Sequence, residues 1–390
     1  VPEEERPAEG EDGNAGMVEQ PEEGAVFEIY LRSAGSYASA KPSERDILTT
    51  DADGFAVSKM LPYGYYTVHQ VAAGPAGENK AFVPDFTVFI CHNEYTYSYI
   101  LNNDSITGRV RIEKRDAETG QIIPIAGTGL RIKDLDTGDF ISQTVWYPNP
   151  VTIDLFFTSD EGWLMLPDPL PKNTNGYQLF EEYAPYGYVL GSGEGVHFTI
   201  DGSEAIVTVV QENMPQTGTI TITKTGEVFA SVEENGELFQ PVYEVMGLPG
   251  AVYDIIADED ITTGDGTVRV PKDTVVETLT TGEDATATSG LLYLGRYRLE
   301  ERQAPYGMVL ETEPVYVELV YAGQEVEVTQ TAVGIYDERQ KVAIDLEKLM
   351  ELDELFGIGM ADEYKVVSFC LYAAHAIAAL YGTVLPADGP

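Results

Sequence analysis

The sequence has very little cysteine and few basic residues. Its 390 residues include two cysteines, Cys91 and Cys370, which excludes a disulfide framework, and we expect both thiols to be buried. Lysine and arginine together number 23, against 65 aspartates and glutamates, so that the formal net charge is -42. A charge of this sign repels nucleic acid and anionic lipid. The sequence therefore predicts no nucleic-acid binding.

Histidine is also scarce, and its four copies show no spacing typical of a metal site: His69, His92, His197 and His375. The sequence contains no nucleophile elbow, phosphate-binding loop or pair of zinc-binding cysteines. Two acidic segments, Thr49–Phe55 and Thr158–Trp163, offer carboxylates to a calcium ion, but Pro62 stands where an EF-hand loop needs its closing Glu. We interpret both segments as solvated hairpin turns, and we predict no cofactor, no bound metal and no enzyme activity toward other molecules.

Long apolar runs are nearly absent from the chain. One segment, residues 366–385, is about long enough to cross a bilayer. However, FCLYAAHAIAALYGTVLPAD, which begins at Phe369, aligns with the polar YDIIADEDITTGDGTVRVPKD, which begins at Tyr253. Ile377 then matches Ile261, and both copies contain Gly-Thr-Val and end in Pro-x-Asp. Because the polar copy cannot span lipid, we predict a strand and a loop here, and no membrane insertion.

What the sequence does contain is short runs of Val, Ile, Tyr and Thr between clusters of Gly, Pro, Asn and Asp. These runs alternate apolar and polar residues, and helical periodicity is scarce, so the sequence predicts an all-β protein. The apolar fraction of 43% is sufficient for hydrophobic cores. A chain of this length fits three or so β domains.

Three strands end on a lysine that lies in register with their apolar residues. They are GRVRIEK, ending at Lys114, GTITITK, ending at Lys224, and KVAIDLEK, ending at Lys348. Because side chains alternate between the two faces of a strand, each lysine shares the face of the preceding Val, Ile or Leu residues. A buried ammonium is costly unless it is paired or neutralised. The pattern therefore indicates a specific role for these three lysines.

Two further polar positions recur in step with the lysines. Three side chains each follow an inward tyrosine by four residues: Gln70, Glu181 and Glu301. Another three each close an apolar alternation and lie eleven residues before the next lysine: Asn103, Asn213 and Asp337. We therefore predict an acidic linker over residues 1–20, a first domain over 21–106 that lacks its lysine strand, a second over 107–216, a third over 217–339 and the start of a truncated fourth over 340–390.

A lysine, a glutamate and an asparagine or aspartate that point into the same core can support a chemical reaction. Burial disfavours the charged forms of an amine and a carboxylic acid. A neutral amine is a nucleophile, a desolvated Glu can transfer a proton, and a carboxamide or carboxyl carbon is an electrophile. Enclosure in a folded core supplies a high effective concentration. The pattern predicts an intramolecular isopeptide bond, with a buried ion pair or hydrogen-bonded cluster as the alternative.

The motifs resemble those of the B-type repeats of collagen adhesins and the related SpaA-type pilin domains of Gram-positive surface proteins. Three motifs match. The first is G-x-I-x-I-x-K, and the second is Y-x-L-x-E-x-x-A-P-x-G-Y, which occurs at Tyr177–Tyr188 and again at Tyr297–Gly307, with Met308 replacing the last Tyr. The third is the closing Asn. The resemblance covers nearly the whole chain. It implies tandem prealbumin-like (reverse-immunoglobulin-like) β-sandwich domains in an elongated array.

The resemblance also implies which residues react. Lys114 would bond to Asn213 with the assistance of Glu181. In the same way, Lys224 would bond to Asp337 with the assistance of Glu301, although Asp337 departs from the usual Asn, so that water rather than ammonia would leave. The remaining counterparts would stay unlinked: Gln70, Asn103 and Lys348.

On this basis we predict a structural stalk segment of an extracellular, cell-wall-anchored adhesin. A host matrix protein or glycan would bind other parts of the full protein, and a missing C-terminus would attach it to the cell wall.

The first alternative is a sortase-polymerised pilus shaft subunit, since Met214–Gly218 (MPQTG) resembles a sorting signal, although a strand follows it and we interpret it as a linker. Lys272 would be the pilin lysine, although a surface loop is our interpretation of its segment. The second alternative is a glycan- or matrix-protein-binding module using Trp146–Pro150, where we expect the aromatic residues to pack within their loop.

Overall fold

The computed structural model describes residues 20–77, 79–236, 238–347 and 369–388. Nearly all of its regular structure is β, which confirms the all-β prediction, and these residues include no α-helix. The described helical segments are three short 3₁₀ turns: Arg32–Ala34, Pro42–Glu44 and Pro75–Gly77. Strands form here because the sequence alternates apolar and polar residues with a period of two.

The N-terminal strands form one antiparallel sheet in the order β2-β1-β3-β4. Their bounds are β1 Val26–Leu31, β2 Arg45–Thr49, β3 Gly64–Ala72 and β4 Phe86–Ile90. Phe27, Ile29, Tyr66 and Val68 form the centre of a hydrophobic cluster against this sheet.

The middle part of the chain contains ten strands. They are β5 Thr107–Asp116, β6 Gly129–Asp134, β7 Gln143–Val145, β8 Val151–Ile153, β9 Phe156–Phe157, β10 Trp163–Met165, β11 Leu170–Pro171, β12 Tyr177–Tyr183, β13 Val196–Phe198 and β14 Ile206–Asn213. One sheet has the order β10-β5-β11 with β14 also paired to β5, and the other has the order β13-β12-β6-β9. Val110 and Ile112 of the first sheet and Leu130 and Leu179 of the second belong to one hydrophobic cluster, which is a β-sandwich core.

The next part repeats this arrangement with eleven strands. They are β15 Thr217–Asn235, β16 Leu238–Gly247, β17 Val252–Ala257, β18 Ile261–Thr262, β19 Val268–Val270, β20 Val275–Thr280, β21 Thr286–Thr288, β22 Leu292–Tyr293, β23 Gly295–Gln303, β24 Val315–Leu319 and β25 Val328–Asp337. In one sheet β15 pairs with β16, β21, β22 and β25, and the second sheet has the order β20-β17-β23-β24. Ile220 and Ile222 pack with Ile255 and Leu299 between these sheets.

The C-terminal segment contains a short hairpin of β26 (Ile377–Ala378) and β27 (Val384–Leu385). It resembles the hairpin β18–β19: Ile261 pairs with Val270 in one, and Ile377 pairs with Leu385 in the other. No helix in the described part of the chain has the length and apolar composition that a membrane span requires.

The chain divides into two compact units. Unit 1 contains residues 1–114, 126–182 and 192–211, and unit 2 contains residues 115–125, 183–191 and 212–390. The first two hydrophobic clusters belong to unit 1, and the third belongs to unit 2. The elongated array and the domain boundaries predicted from the sequence stay predictions.

Unit 2 holds a buried ionic network around Asp116, whose side chain is fully buried. Arg269 Nη2 lies 2.7 Å from Asp116 Oδ2, and the Tyr188 hydroxyl donates to the same oxygen over 2.9 Å. The backbone N–H of Asp265 donates in turn to the Tyr188 hydroxyl over 3.2 Å. Burial and the hydrogen bond to Asp116 raise the pKa of Tyr188, which keeps the phenol protonated.

The expectation that both cysteines are buried is wrong, since Cys91 and Cys370 are exposed. Cys91 directly follows β4, in which Val88 is buried and Phe89 is exposed. Because faces alternate along a strand, Cys91 lies on the solvent side together with Phe89. Whether a cysteine beside a strand is buried therefore depends on the face of the sheet to which it points.

Two predicted terminal strands also differ from the structure. Residues 341–347 form no strand, and Val342, Ile344 and Leu346 are exposed, so the predicted inward alternation is wrong here. Lys348 lies outside the described residues. Residues 95–103, which end in Asn103, likewise form no strand, and Tyr99 is half exposed. A strand needs hydrogen-bonded neighbours, and neither segment pairs with any strand in the described part of the chain.

Candidate functional site

The alternation of β15 carries a lysine into the core of unit 2. Ile220, Ile222 and Lys224 share one face of the strand, and all three side chains are fully buried. β25 runs parallel to β15, with Ile335 opposite Lys224 and Asp337 opposite Gly226. The last residue of β25 is therefore close to the lysine at its inner face.

Lys224 meets two carboxyl groups in this core. Its Nζ atom lies 2.9 Å from Glu301 Oε1 and is in direct contact with Asp337 Oδ1. The side chains of Glu301 and Asp337 are 1% and 0% exposed, and that of Lys224 is 0% exposed. The three groups are thus enclosed without solvent, which is the condition for a high effective concentration.

Tyr253 is a member of this site that the sequence analysis missed. Lys224 Nζ donates to the Tyr253 hydroxyl over 2.5 Å, and the hydroxyl donates to Glu301 Oε1 over 2.9 Å. Tyr253 lies opposite Glu301 in the β17–β23 pair, which sets this approach. A sequence signal existed: GAVYDI, from Gly250, repeats the GAVFEI that starts at Gly24 and marks an inward aromatic position.

The electrostatics of the site favour an uncharged acceptor. Burial raises the pKa of the Asp337 carboxyl and the Glu301 carboxylate raises it further, whereas the neighbouring Lys224 acts in the opposite direction. Burial and the hydrogen bond to Glu301 also raise the pKa of Tyr253, so its phenol stays protonated. A protonated carboxyl is a better electrophile than a carboxylate. The arrangement can therefore support attack of the lysine amine on Asp337.

The middle part of the chain holds a second cluster. Lys114 Nζ lies 2.8 Å from Glu181 Oε1, and the two side chains are 0% and 3% exposed. Asn213 is buried at the end of β14, the strand that pairs with β5, and its Nδ2 atom donates to the carbonyl oxygen of Val189 over 2.7 Å. The bond between Lys114 and Asn213 stays a prediction.

The N-terminal part holds amides at the corresponding positions. Gln70 is buried, and its Oε1 atom accepts a hydrogen bond from the backbone N–H of Val83 over 2.8 Å. Asn103 is half-buried, and its Nδ2 atom donates to Glu22 Oε2 over 3.0 Å. The carboxamide of Asn103 thus contacts a carboxylate here.

The segments considered for sortase recognition and for ligand binding differ in their exposure to solvent. In Met214–Gly218, Gln216 is 1% exposed, and its Nε2 atom donates to the carbonyl oxygen of Gly323 over 2.9 Å. Lys272 is exposed. The expectation that Trp146 and Tyr147 pack within their loop is wrong: they are 64% and 87% exposed, because both lie in the turn between β7 and β8, outside the sandwich core.

Comparisons with known proteins give a family match for part of the chain. A family model described as SpaA: Prealbumin-like fold domain matches residues 244–332. No curated protein sequence matches the chain.

Several solved structures resemble the chain at low sequence identity. The Bacillus anthracis TIE protein has a TM-score of 0.50 and 20% identity over 83% of this chain, and the chain spans 49% of that protein's length. BcpA, the major pilin subunit of Bacillus cereus, has a TM-score of 0.30 and 14% identity, covering 83% of this chain and 97% of BcpA. The major pilin SpaD from Corynebacterium diphtheriae has a TM-score of 0.23 and 16% identity, covering 83% of this chain and 95% of SpaD.

The family match includes Tyr253 and Glu301, and it covers most of the sandwich that encloses Lys224. It agrees with the resemblance carried by the Y-x-L-x-E-x-x-A-P-x-G motif at Tyr297–Gly307, which lies within the matched residues. Residues 244–332 therefore belong to the SpaA-type prealbumin-like domain family.

Proposed function

We propose that this chain is a structural segment of a cell-surface protein whose β-sandwiches are stabilised by self-formed isopeptide bonds. The observation that carries the proposal is the enclosed contact of Lys224 with Asp337 and Glu301. A lysine with no solvent exposure is rare unless it is paired, and a pair that also brings an amine against a carboxyl carbon is positioned to condense.

The reaction in the third domain balances without a cofactor. The lone pair of the Lys224 amine attacks the Cγ carbon of Asp337, a C–N bond forms, and the C–O bond to the hydroxyl breaks. Glu301 accepts a proton from the attacking nitrogen and donates a proton to the hydroxyl of Asp337, which leaves as water. In the middle domain the same attack by Lys114 on Asn213, assisted by Glu181, would release ammonia.

Such a bond would stabilise the domain much as a disulfide does. Lys224 and Asp337 are 113 residues apart, and closing a loop of this size is worth about 4.7 kcal/mol in the chain-entropy model. The bond would not be reducible, which suits a chain with two cysteines. A stalk that carries another part of the protein away from a cell wall is the role that such domains fit, and we propose an extracellular location on these grounds.

The mass of the intact protein tests the proposal. Native protein should be lighter than its sequence by one water and one ammonia, and peptide fragmentation should connect Lys224 to Asp337 and Lys114 to Asn213. A matched control is Lys272→Ala, since Lys272 is exposed. It should lose the same water and ammonia. An unaltered mass in native protein would show that the clusters are unreacted ion pairs.

A pilus shaft subunit is the alternative structural role, because BcpA and SpaD are described as major pilins. The burial of Gln216 argues against sortase recognition of Met214–Gly218, because a transpeptidase needs an extended, accessible motif. Ladders of covalent polymer from native cell walls on a denaturing gel would support the pilus. A single band would support the stalk.

Binding of a glycan or matrix protein is the remaining candidate, and the exposure of Trp146 and Tyr147 favours it. Exposed aromatic rings at the tip of a hairpin offer flat apolar surface to a sugar ring. Binding to a glycan array that is lost in Trp146→Ala, and kept in Phe157→Ala as a second exposed aromatic control, would assign this activity to the loop. We place the other partners, a host matrix protein or glycan and the cell wall, on parts of the full protein outside this chain.

A further inference from the structure

Tyr253 hydrogen-bonds to both groups that exchange a proton in the third domain, Lys224 and Glu301, which also contact each other over 2.9 Å. We infer that Tyr253 is a further catalytic residue, which relays a proton from Lys224 to Glu301 and so frees the lysine amine to attack Asp337. This inference rests on the proposed isopeptide bond and adds a residue outside the predicted Lys, Glu and Asp set.

The hydrogen bonds around Tyr253 have the direction that a relay requires. Lys224 Nζ donates to the Tyr253 hydroxyl over 2.5 Å, and that hydroxyl donates to Glu301 Oε1 over 2.9 Å. The ring is 2% exposed, so bulk water does not compete for either bond. The backbone pairing of Tyr253 with Glu301 between β17 and β23 holds the two side chains next to each other.

The relay conserves every proton. The ammonium of Lys224 passes one proton to the Tyr253 oxygen while the Tyr253 hydroxyl passes its own proton to Glu301. This leaves a neutral amine, an unchanged tyrosine and a protonated Glu301. The amine and the protonated Asp337 carboxyl then condense to an amide and one water, and Glu301 keeps the proton that the ammonium lost.

The corresponding positions in the N-terminal and middle parts of the chain carry no hydroxyl. In all three parts, a backbone N–H two residues before this position donates to a threonine hydroxyl: Ala25 to Thr50 over 2.9 Å, Thr128 to Thr158 over 3.2 Å and Ala251 to Thr281 over 3.0 Å. This shared bond places Phe27, Leu130 and Tyr253 at equivalent positions.

Tyrosine thus occurs in the part that closes on Asp337, whereas the two parts that close on asparagine have Phe27 and Leu130. The physical reason is that two carboxyl groups, those of Asp337 and Glu301, contact one ammonium, that of Lys224. If the ammonium kept its proton, the site would stay a stable ion pair and no amine would be free to attack. A hydroxyl that links Lys224 to Glu301 carries the ammonium proton to Glu301, while Asp337 keeps its own proton and remains the electrophile. An asparagine acceptor carries no charge and does not compete with the glutamate for the lysine proton.

The test is the variant Tyr253→Phe, which removes the hydroxyl and keeps the ring. Protein recovered in denaturant from inclusion bodies, with its full sequence mass verified, is refolded by dilution, and the loss of water is followed by intact mass across a range of pH. We expect the water loss to slow by at least about tenfold and its pH profile to change. The loss of ammonia from the second domain is an internal control and should be unaffected.

Tyr297→Phe is the matched control, because Tyr297 is a fully buried tyrosine whose hydroxyl donates to the carbonyl oxygen of Tyr293 over 2.7 Å. It should react at the wild-type rate. Tyr253→Leu, which copies the second sandwich, gives an independent variant and should be as slow as Tyr253→Phe. Wild-type rates and pH profiles in both Tyr253 variants would overturn the relay while leaving the isopeptide bond intact. Failure of the wild-type protein to lose water would overturn the bond itself, and with it the relay.

Discussion

Asp337 lies opposite Gly226 in the parallel pair of β15 and β25, and this register brings its carboxyl to Lys224, two residues earlier in β15. The first and last strands of the sandwich are thereby neighbours at the position where a cross-link would join them. A bond between Lys224 and Asp337 would close a loop of 113 residues, and this strand pairing places the two residues together.

Asp337→Asn should yield the same covalent product as the wild-type protein. The acceptor then loses ammonia instead of water, so the reacted variant has the same final mass as the reacted wild type, although its unreacted mass differs. Intact mass spectrometry checks this. Asp337→Ala is the control, and it should keep its full sequence mass apart from the ammonia lost in the second domain. A full-mass Asp337→Asn protein would contradict the proposed chemistry.

Glu301→Gln should block the bond in the third domain while preserving the size of the side chain. We expect the free energy of unfolding of this domain to fall by about 4 to 5 kcal/mol, because the loop-closure contribution is lost. Thermal or denaturant unfolding measures the change. Glu300→Gln, on the neighbouring exposed position, should change stability by less than about 0.5 kcal/mol. Equal stability of the two variants would show that no cross-link contributes.

Stability of the unlinked third domain should depend on the protonation of Asp337. Burial raises the pKa of this carboxyl above its usual value of 3.8, so the folded state binds its proton more tightly than the unfolded state. Its contribution is therefore fully present below the unfolded pKa and is lost as pH rises through the folded pKa.

Denaturant unfolding of Lys224→Met, which cannot form the bond and keeps Glu301, across this pH window measures the effect. The double variant with Asp337→Asn lacks the titrating group and is the control. Relative to the double variant, Lys224→Met should become less stable as pH rises. A pH-independent difference between the two would contradict the raised pKa.

Arg269→Met should strongly destabilise unit 2. It leaves the fully buried Asp116 carboxylate without its cation, and breaking a buried pair in this way costs about 3 to 5 kcal/mol. Arg296→Met is the matched control, because Arg296 is 51% exposed and its ion pair with Asp258 is worth at most about 1 kcal/mol. Denaturant unfolding compares the two. A cost below 1 kcal/mol for Arg269→Met would mean that Asp116 is stabilised by its other hydrogen bonds.

Local patterns in the sequence determined the fold class and the type of domain. The all-β architecture follows from two-residue alternation and from Gly and Pro in the turns, and the family model confirms the prealbumin-like type for residues 244–332. Alternation also places Lys224 on the same face as Ile220 and Ile222, because a strand has only two faces. These properties depend on neighbours along the chain.

The tertiary structure alone decided which groups meet and which strands form. The contact of Tyr253 with Lys224 joins two different sheets, and no local pattern specifies the distance between sheets. The exposure of Cys91 and the lack of strand structure at Val342 depend on whether a neighbouring strand covers them. The physical reason is the same in each case: burial and hydrogen-bond pairing are properties of the assembled sheets, whereas alternation is a property of one strand.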